Sequence, residues 1–411
     1  MTSRPVPVAV LGTVLVTVPL TALATLWWTA RPRPTDAPIV ASSVPPTASR
    51  SDPARTDPPK PAAADPPALA QAVDPPRLVR TDIAAWAAGA RRVAATDLDG
   101  DGDSEIALVG ADVTVVTSTG QALATTPAAG GINVLEGFGG AFYAGWGRDK
   151  DAPNASASIV RYTLRQRALS AETVVAPTTT RPQIVAISPA KPAGLLLAWF
   201  SDKYGVTAVR GSQSAKRAPW TLTSAAATRT APVWLSTDLD GDGVDDLVYG
   251  RTYGDAVGSS GDAWVVRSAG GDKVAIPTTG GVRAGCLADT DGDGRPEVVL
   301  ADGWDKDYGH LAKAEIRLVT WVNGAVQSVV LDRSPGDYDV TRLLAADLDG
   351  DGKQEILAVT NTKLRVISRR GSGWVAWDAA SGTVDAAVAL GRGGPTVVAI
   401  GPKPEALVIG R

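Results

Sequence analysis

Asp347-Leu348-Asp349-Gly350-Asp351-Gly352-Lys353-Gln354-Glu355-Ile356 is one of four stretches built to a single pattern. The others run from Asp97 to Ile106, Asp238 to Leu247 and Asp289 to Val298. Each has acids at residues one, three, five and nine, glycine at four and six, and an aliphatic residue at ten. Carboxylates on alternate residues can converge on one hard cation. Glycine at the sixth residue permits the sharp turn, and the seventh can offer its backbone carbonyl, as oxygen-rich calcium sites require.

The flanks decide what the loop connects. An EF-hand needs a bidentate Glu at the twelfth residue and a helix on each side. Here the twelfth residue is Leu108, Tyr249, Leu300 or Ala358, none of which can ligate through its side chain as that Glu does. Leu343-Leu344-Ala345-Ala346 leads in and Ile356-Leu357-Ala358-Val359 leads out, aliphatic runs too short for helices. Each acidic loop therefore joins two strands of a hairpin.

Working outward, apolar strands open near Val93, Asn133, Ile184, Val233, Arg283, Arg342 and Ala386, giving seven units between about Leu78 and Arg411. Their length, roughly 47 residues each, is that of four-stranded propeller blades. The last unit is one strand short, while Leu78 to Trp86 precedes the first and resembles the stretch Gly373 to Trp377. The N-terminal strand is thus expected to complete the last blade and remove a free sheet edge. Trp86, Trp220, Trp264, Trp321, Trp374 and Trp377 fall in expected outer strands, where large rings can wedge between units.

Upstream the composition changes twice. Residues 1–30 contain a nearly uncharged run, Val6 to Trp28, long enough to cross a bilayer, with Trp27 and Trp28 at an interface. A cleavable signal peptide is the competing reading, since Ala22-Leu23-Ala24 fits a cleavage site; the length of the run favours an uncleaved anchor. Residues 31–77 hold 13 of the 30 prolines among Ala, Ser, Thr and Asp, a composition that cannot bury a core and forms an extended stalk. Weak calcium sites need the millimolar calcium found outside cells, which places residues 78–411 there, at the cell membrane or, if the leader is cleaved, secreted.

Composition excludes several functions. The net charge of -3 comes without clustered basic residues, so nucleic acid is not an expected partner. Cys286 is the only cysteine, which rules out a disulfide framework within the chain, and it reads as a small buried hydrophobe. His310 is the only histidine, leaving Ser-His-Asp catalysis and histidine-rich metal sites at most one candidate. Catalysis has little footing, although a carboxylate pair such as Asp305 and Asp307 could in principle cleave a glycosidic bond.

With four such loops set between strands, residues 78–411 resemble the FG-GAP or VCBS repeat proteins, whose fold is the integrin α-chain-like seven-bladed β-propeller. The resemblance implies an all-β fold in which the loop joins the first two strands of a blade and holds calcium. The implied ligands, about four sites in all, are Asp97, Asp99, Asp101 and Glu105; Asp238, Asp240, Asp242 and Asp246; Asp289, Asp291, Asp293 and Glu297; and Asp347, Asp349, Asp351 and Glu355. Two departures stand out. No Phe-Gly signature precedes the acidic loops, and the second, third and seventh units carry no acidic motif. The second unit has Phe138-Gly139-Gly140-Ala141 where its loop would be.

A second recurrence follows the second strand of several units, an aromatic residue followed by charges. Trp146 precedes Asp149 and Lys150, Trp199 precedes Asp202 and Lys203, and Trp304 precedes Asp305, Lys306 and His310. In a propeller these loops emerge on the face away from the acidic ones. Aromatic plates beside Asp and Lys suit a glycan or protein ligand, through apolar stacking and a few orienting hydrogen bonds. Packing of each Trp and Lys on its own turn explains them equally well. The expected function is a surface-anchored binding or adhesion module; the alternative is a polysaccharide-active enzyme, a lyase or hydrolase, on the same fold.

Overall fold

The computed structural model describes residues 78–128, 132–146, 157–165, 168–178, 183–190, 194–200, 204–210, 213–214, 233–250, 263–267, 272–304, 311–333, 340–360 and 362–409. They lie in one compact unit, Ala64–Arg411, and the expected anchor and stalk fall outside them. No helix among the described residues is long and apolar enough to cross a membrane.

The described residues form seven four-stranded antiparallel sheets. Sheet I contains Arg92–Thr96, Glu105–Val109, Asp112–Val116 and Ala122–Pro127, and sheet II contains Ile132–Phe138, Ala141–Trp146, Ala157–Arg165 and Ala168–Thr178. Sheet III contains Gln183–Ala190, Gly194–Phe200, Tyr204–Arg210 and Gln213–Ser214. Sheet IV contains Val233–Thr237, Asp246–Gly250, Ala263–Val266 and Lys273–Ile276. Sheet V contains Ala284–Ala288, Glu297–Trp304, Leu311–Val322 and Ala325–Arg333, and sheet VI contains Val340–Ala346, Glu355–Thr360, Lys363–Arg370 and Gly373–Ser381. Sheet VII takes three strands from the C-terminus, Asp385–Ala389, Thr396–Ile400 and Glu405–Ile409, and its fourth, Leu78–Asp82, from the start of the domain.

Each of the seven unit starts expected from sequence falls within two residues of an observed first strand. The first strands lie side by side in a closed cycle, with Asp385–Ala389 against Arg92–Thr96. Closure is made in the sheet itself, where Leu78 faces Ile409 and Asp82 faces Glu405 in antiparallel register.

Apolar residues sit between sheets rather than inside any one of them. Ala94, Val113, Leu135 and Phe142 join sheets I and II, and Val248, Val265, Val298 and Leu300 join IV and V. Ile316 and Leu331 meet Leu343 and Ile356 between V and VI, and Leu357 and Leu364 meet Val397 and Leu407 between VI and VII. Second strands are covered on both faces, so Glu105–Val109, Asp246–Gly250 and Glu355–Thr360 are buried throughout. That explains their continuous aliphatic run, since neither side meets water. Burying one such Leu or Ile contributes about 1.5–3 kcal/mol.

Several tryptophans sit elsewhere than expected. Trp86 lies in a single helical turn, Ala84–Ala87, because Asp82 accepts the Ala84 N–H and ends the strand. Trp264 and Trp321 are in third strands, Trp220 is outside the described residues, and Trp374 and Trp377 are in an outer strand as expected. Trp377 packs between VI and VII and Trp374 between V and VI, while Arg267 of sheet IV stacks over Trp321 of sheet V at 5.3 Å. Cys286 is half-buried on the first strand of sheet V, and burial pushes its thiol up to about 12, so it stays protonated.

Two charged groups tie the cycle internally. Arg342 of sheet VI donates to Asp385 Oδ1 of sheet VII (2.9 Å), to the Val93 carbonyl of sheet I (3.0 Å) and to Glu136 Oε2 of sheet II (2.9 Å). Asp385 Oδ2 in turn accepts the Val93 N–H at 3.1 Å. One guanidinium thus spans four sheets. Burial pushes the Glu136 carboxyl above its ordinary range, against the pull of Arg342. In sheet V, Asp302 Oδ2 accepts from Arg317 Nε (2.8 Å) and from the Thr279 N–H (2.7 Å), and Arg317 also pairs with Glu315. Burial outweighs the arginine and raises Asp302 to about 6.

Both features predict measurable effects. Arg342→Met leaves Glu136 and Asp385 without their cation and should lower unfolding free energy by about 3 kcal/mol in urea titrations; a loss under about 1 kcal/mol would contradict the bridging role. For Asp302, a folded-state value near 6 against an unfolded value of about 3.9 means that the folded state binds the extra proton between about pH 4 and 6. Stability contributed by that proton is present below about pH 4 and lost as pH rises through about 6. The melting temperature of the native chain minus that of Asp302→Asn should therefore fall between pH 4.5 and 7, measured at constant calcium.

Candidate metal centres

The acidic loops join the first and second strands of sheets I, IV, V and VI. Their shape follows from the first aspartate. In all four, its two carboxylate oxygens accept the N–H groups of the fourth and sixth residues at 2.7 to 3.0 Å. Those residues are glycines with φ between +75° and +89°, a region that side chains with a Cβ avoid. The third residue's carboxylate accepts the fifth residue's N–H at 3.2 to 3.3 Å. The fifth accepts from the seventh at 2.7 to 2.9 Å.

This folding brings three carboxylates together. Asp97, Asp99 and Asp101 each offer an oxygen, all within 4.8 Å of one another, and the same holds for Asp238, Asp240 and Asp242, for Asp289, Asp291 and Asp293, and for Asp347, Asp349 and Asp351. Oxygens bound to one calcium at about 2.4 Å can lie at most about 4.8 Å apart. The donor set therefore fits a hard divalent cation in size, charge and element.

The fourth implied ligand stands apart from each trio. Glu105, Asp246, Glu297 and Glu355 accept the N–H of the second loop residue, at 2.7, 3.3, 2.9 and 2.8 Å, and so hold the neck of the loop. Glu105, Asp246 and Glu355 are buried, Glu297 half-buried. Burial raises the carboxyls of Glu105 and Glu297, and that of Glu355 to about 7 despite the Leu348 N–H and the Ser368 hydroxyl on its two oxygens.

Sequence reasoning missed two arginines at the trios. Arg267, just after the third strand of sheet IV, donates through Nε to Asp240 Oδ2 at 2.9 Å, and Arg370, ending the third strand of sheet VI, lies 3.0 Å from Asp349 Oδ2. Both sit at the end of the third strand of their own sheet, a signal visible only once the strands are known. Sheet II shows the loop replaced. Phe138 faces Ala141 across Gly139 and Gly140, both with positive φ, so two residues do the turning that elsewhere takes an acidic loop.

Of the expected ligand-binding residues, Trp146 and Trp304 end second strands and Trp199 is the last residue but one of its own, all remote from the hairpin to the first. Their backbones pair with Ser158, Gly205 and Leu311. Asp149, Lys150, Asp202, Lys203, Asp305, Lys306 and His310 lie outside the described residues.

Residues 289–358, the stretch containing the acidic loops of sheets V and VI, match the family model of the FG-GAP-like repeat. No curated protein matches the chain. Among solved structures, BBS1N in the crystal structure of its complex with ARL6DN, soaked with lead, is similar with a TM-score of 0.53 and 13% identity, over 81% of this chain and 96% of that one. A chain of the mitotic checkpoint complex is similar with a TM-score of 0.50 and 13% identity, over 88% and 99%. At that identity the likeness speaks for the fold alone. Residues 289–358 carry an FG-GAP-like repeat, within an all-β domain whose structural neighbours are of the β-propeller type.

Proposed function

We propose that the seven sheets are the blades of a calcium-stabilised β-propeller that serves as a binding module outside the cell, held there by the N-terminal segment. The observation that carries the calcium reading is the fourfold convergence of three aspartates within 4.8 Å. Calcium would bind to Asp97, Asp99 and Asp101 and their counterparts, with Glu105, Asp246, Glu297 and Glu355 as the neighbouring acids in reach of a loop that tightens. Its role is structural, since each site ties the first hairpin of one blade.

Binding rather than catalysis is the reading favoured by the fold. The neighbours are propeller-type chains, and both are found in complexes, BBS1N with ARL6DN and the other chain in the mitotic checkpoint complex. A glycan or protein ligand is assigned to the rim where the second strands carrying Trp146, Trp199 and Trp304 end. Glycan-array and surface-proteome capture by the full chain test this; turnover of a polysaccharide, lost on changing Asp305 or Asp307 with calcium affinity intact, would replace the binding reading with an enzymatic one.

The calcium reading makes its own prediction. With a dissociation constant near 10⁻⁴ M and about 1 mM calcium, each site adds about 1.4 kcal/mol, roughly 5 to 6 for four. That is comparable to the stability of a whole domain. EDTA should lower the melting temperature by many degrees, and Asp293→Asn should remove about a quarter of the calcium-dependent shift; a melt indifferent to EDTA would refute it.

A further inference from the structure

We infer that Gln354 is a positioning residue for the metal site of the neighbouring sheet, and that through it the loops of sheets V and VI bind calcium cooperatively; this rests on the calcium reading proposed above. Gln354 is the eighth residue of the loop in sheet VI. Its backbone N–H donates to the Asp289 carbonyl at 2.8 Å, and its Oε1 accepts the Asp289 N–H at 2.9 Å. Asp289 is the first aspartate of the loop in sheet V, whose carboxylate organises Gly292, Asp293 and Gly294. Both main-chain polar groups of that ligand are thus held from the adjacent sheet. The two loops also touch, for a Cβ on Gly292 would lie 3.0 Å from the Gly352 carbonyl oxygen.

The same reciprocal clasp recurs where sheet I meets sheet VII. Ser104, the eighth residue of its loop, donates its N–H to the Leu390 carbonyl at 2.6 Å and accepts the Leu390 N–H on Oγ at 2.9 Å. Leu390 follows the first strand of sheet VII as Asp289 follows that of sheet V, but it is no ligand. The clasp is therefore a fastening between sheets that acquires a second effect where the residue held is a calcium ligand. Between sheets IV and V it is broken: the eighth residue is Pro296, which has no N–H, and only the Thr237 hydroxyl reaches its carbonyl, at 3.5 Å.

Calcium in the loop of sheet VI would order residues 347–355, Gln354 among them, and so hold Asp289 ready for its own ion. Part of the ordering cost of the second site is then met by the first, and reciprocity requires the converse. Repulsion between the two dications acts the other way and is damped by salt at exposed loops.

The test uses the full chain with the loops of sheets I and IV silenced by Asp101→Asn and Asp242→Asn, titrated with calcium by calorimetry. Adding Asp351→Asn, which empties the loop of sheet VI, should weaken the site of sheet V about fivefold. In a Gln354→Met background, which loses the Oε1 contact and keeps the main-chain one, the same change should weaken the site clearly less, whereas Gln354→Ser, repeating the side chain found at Ser104, should keep the coupling. An unchanged affinity on Asp351→Asn, or an equal loss in the Gln354→Met background, overturns the inference. If the unaltered chain takes up no calcium, the underlying reading fails instead; if it fills four sites independently, only the cooperativity does.

Discussion

A four-stranded sheet with two apolar faces can cover neither alone. The structure answers with a cycle in which the described apolar clusters lie across the boundaries I–II, IV–V, V–VI, VI–VII and VII–I. A cycle also has to be shut. Leu78–Asp82 does so by pairing with Glu405–Ile409, and Arg342 adds a cross-brace by reaching three other first strands. The acidic loops, the clasps and the strand ends all take their positions from this arrangement.

Much of it was legible in the sequence because the repeat is marked. Four loops with one spacing indexed the register, and aliphatic runs between them located the remaining first strands, including those of sheets II, III and VII, which have no acidic loop. The capture of the N-terminal strand followed from counting strands in the final unit. What could not be read were features that depend on neighbours in space. Trp86 resembled a strand residue, yet Asp82 ends that strand with a side-chain hydrogen bond and the chain turns. Arg342 looked like a residue in an apolar strand, and its partners are 43 to 249 positions away.

The candidate site divides along the same line. First, third and fifth acids converge because alternation and two glycines are enough to fold the loop, which is local information. The ninth acid belongs to the next strand, and its burial against that strand's surroundings, invisible in the loop's own spacing, sets its role at the neck. Arg267, Arg370, Ser104 and Gln354 are visible only once sheets are placed, for each acts on a loop reached through folding.

Sheet II adds a point about modularity. Gly139 and Gly140 close its first hairpin where sheets I, IV, V and VI use an acidic loop, and the strands on either side keep their pairing. The sheet is therefore the unit of construction and the acidic loop an exchangeable fitting. Grafting the ten-residue loop between Phe138 and Ala141 would install a fifth acidic trio by transplantation, and excising one elsewhere to a Gly-Gly turn would remove a trio while leaving its sheet in place.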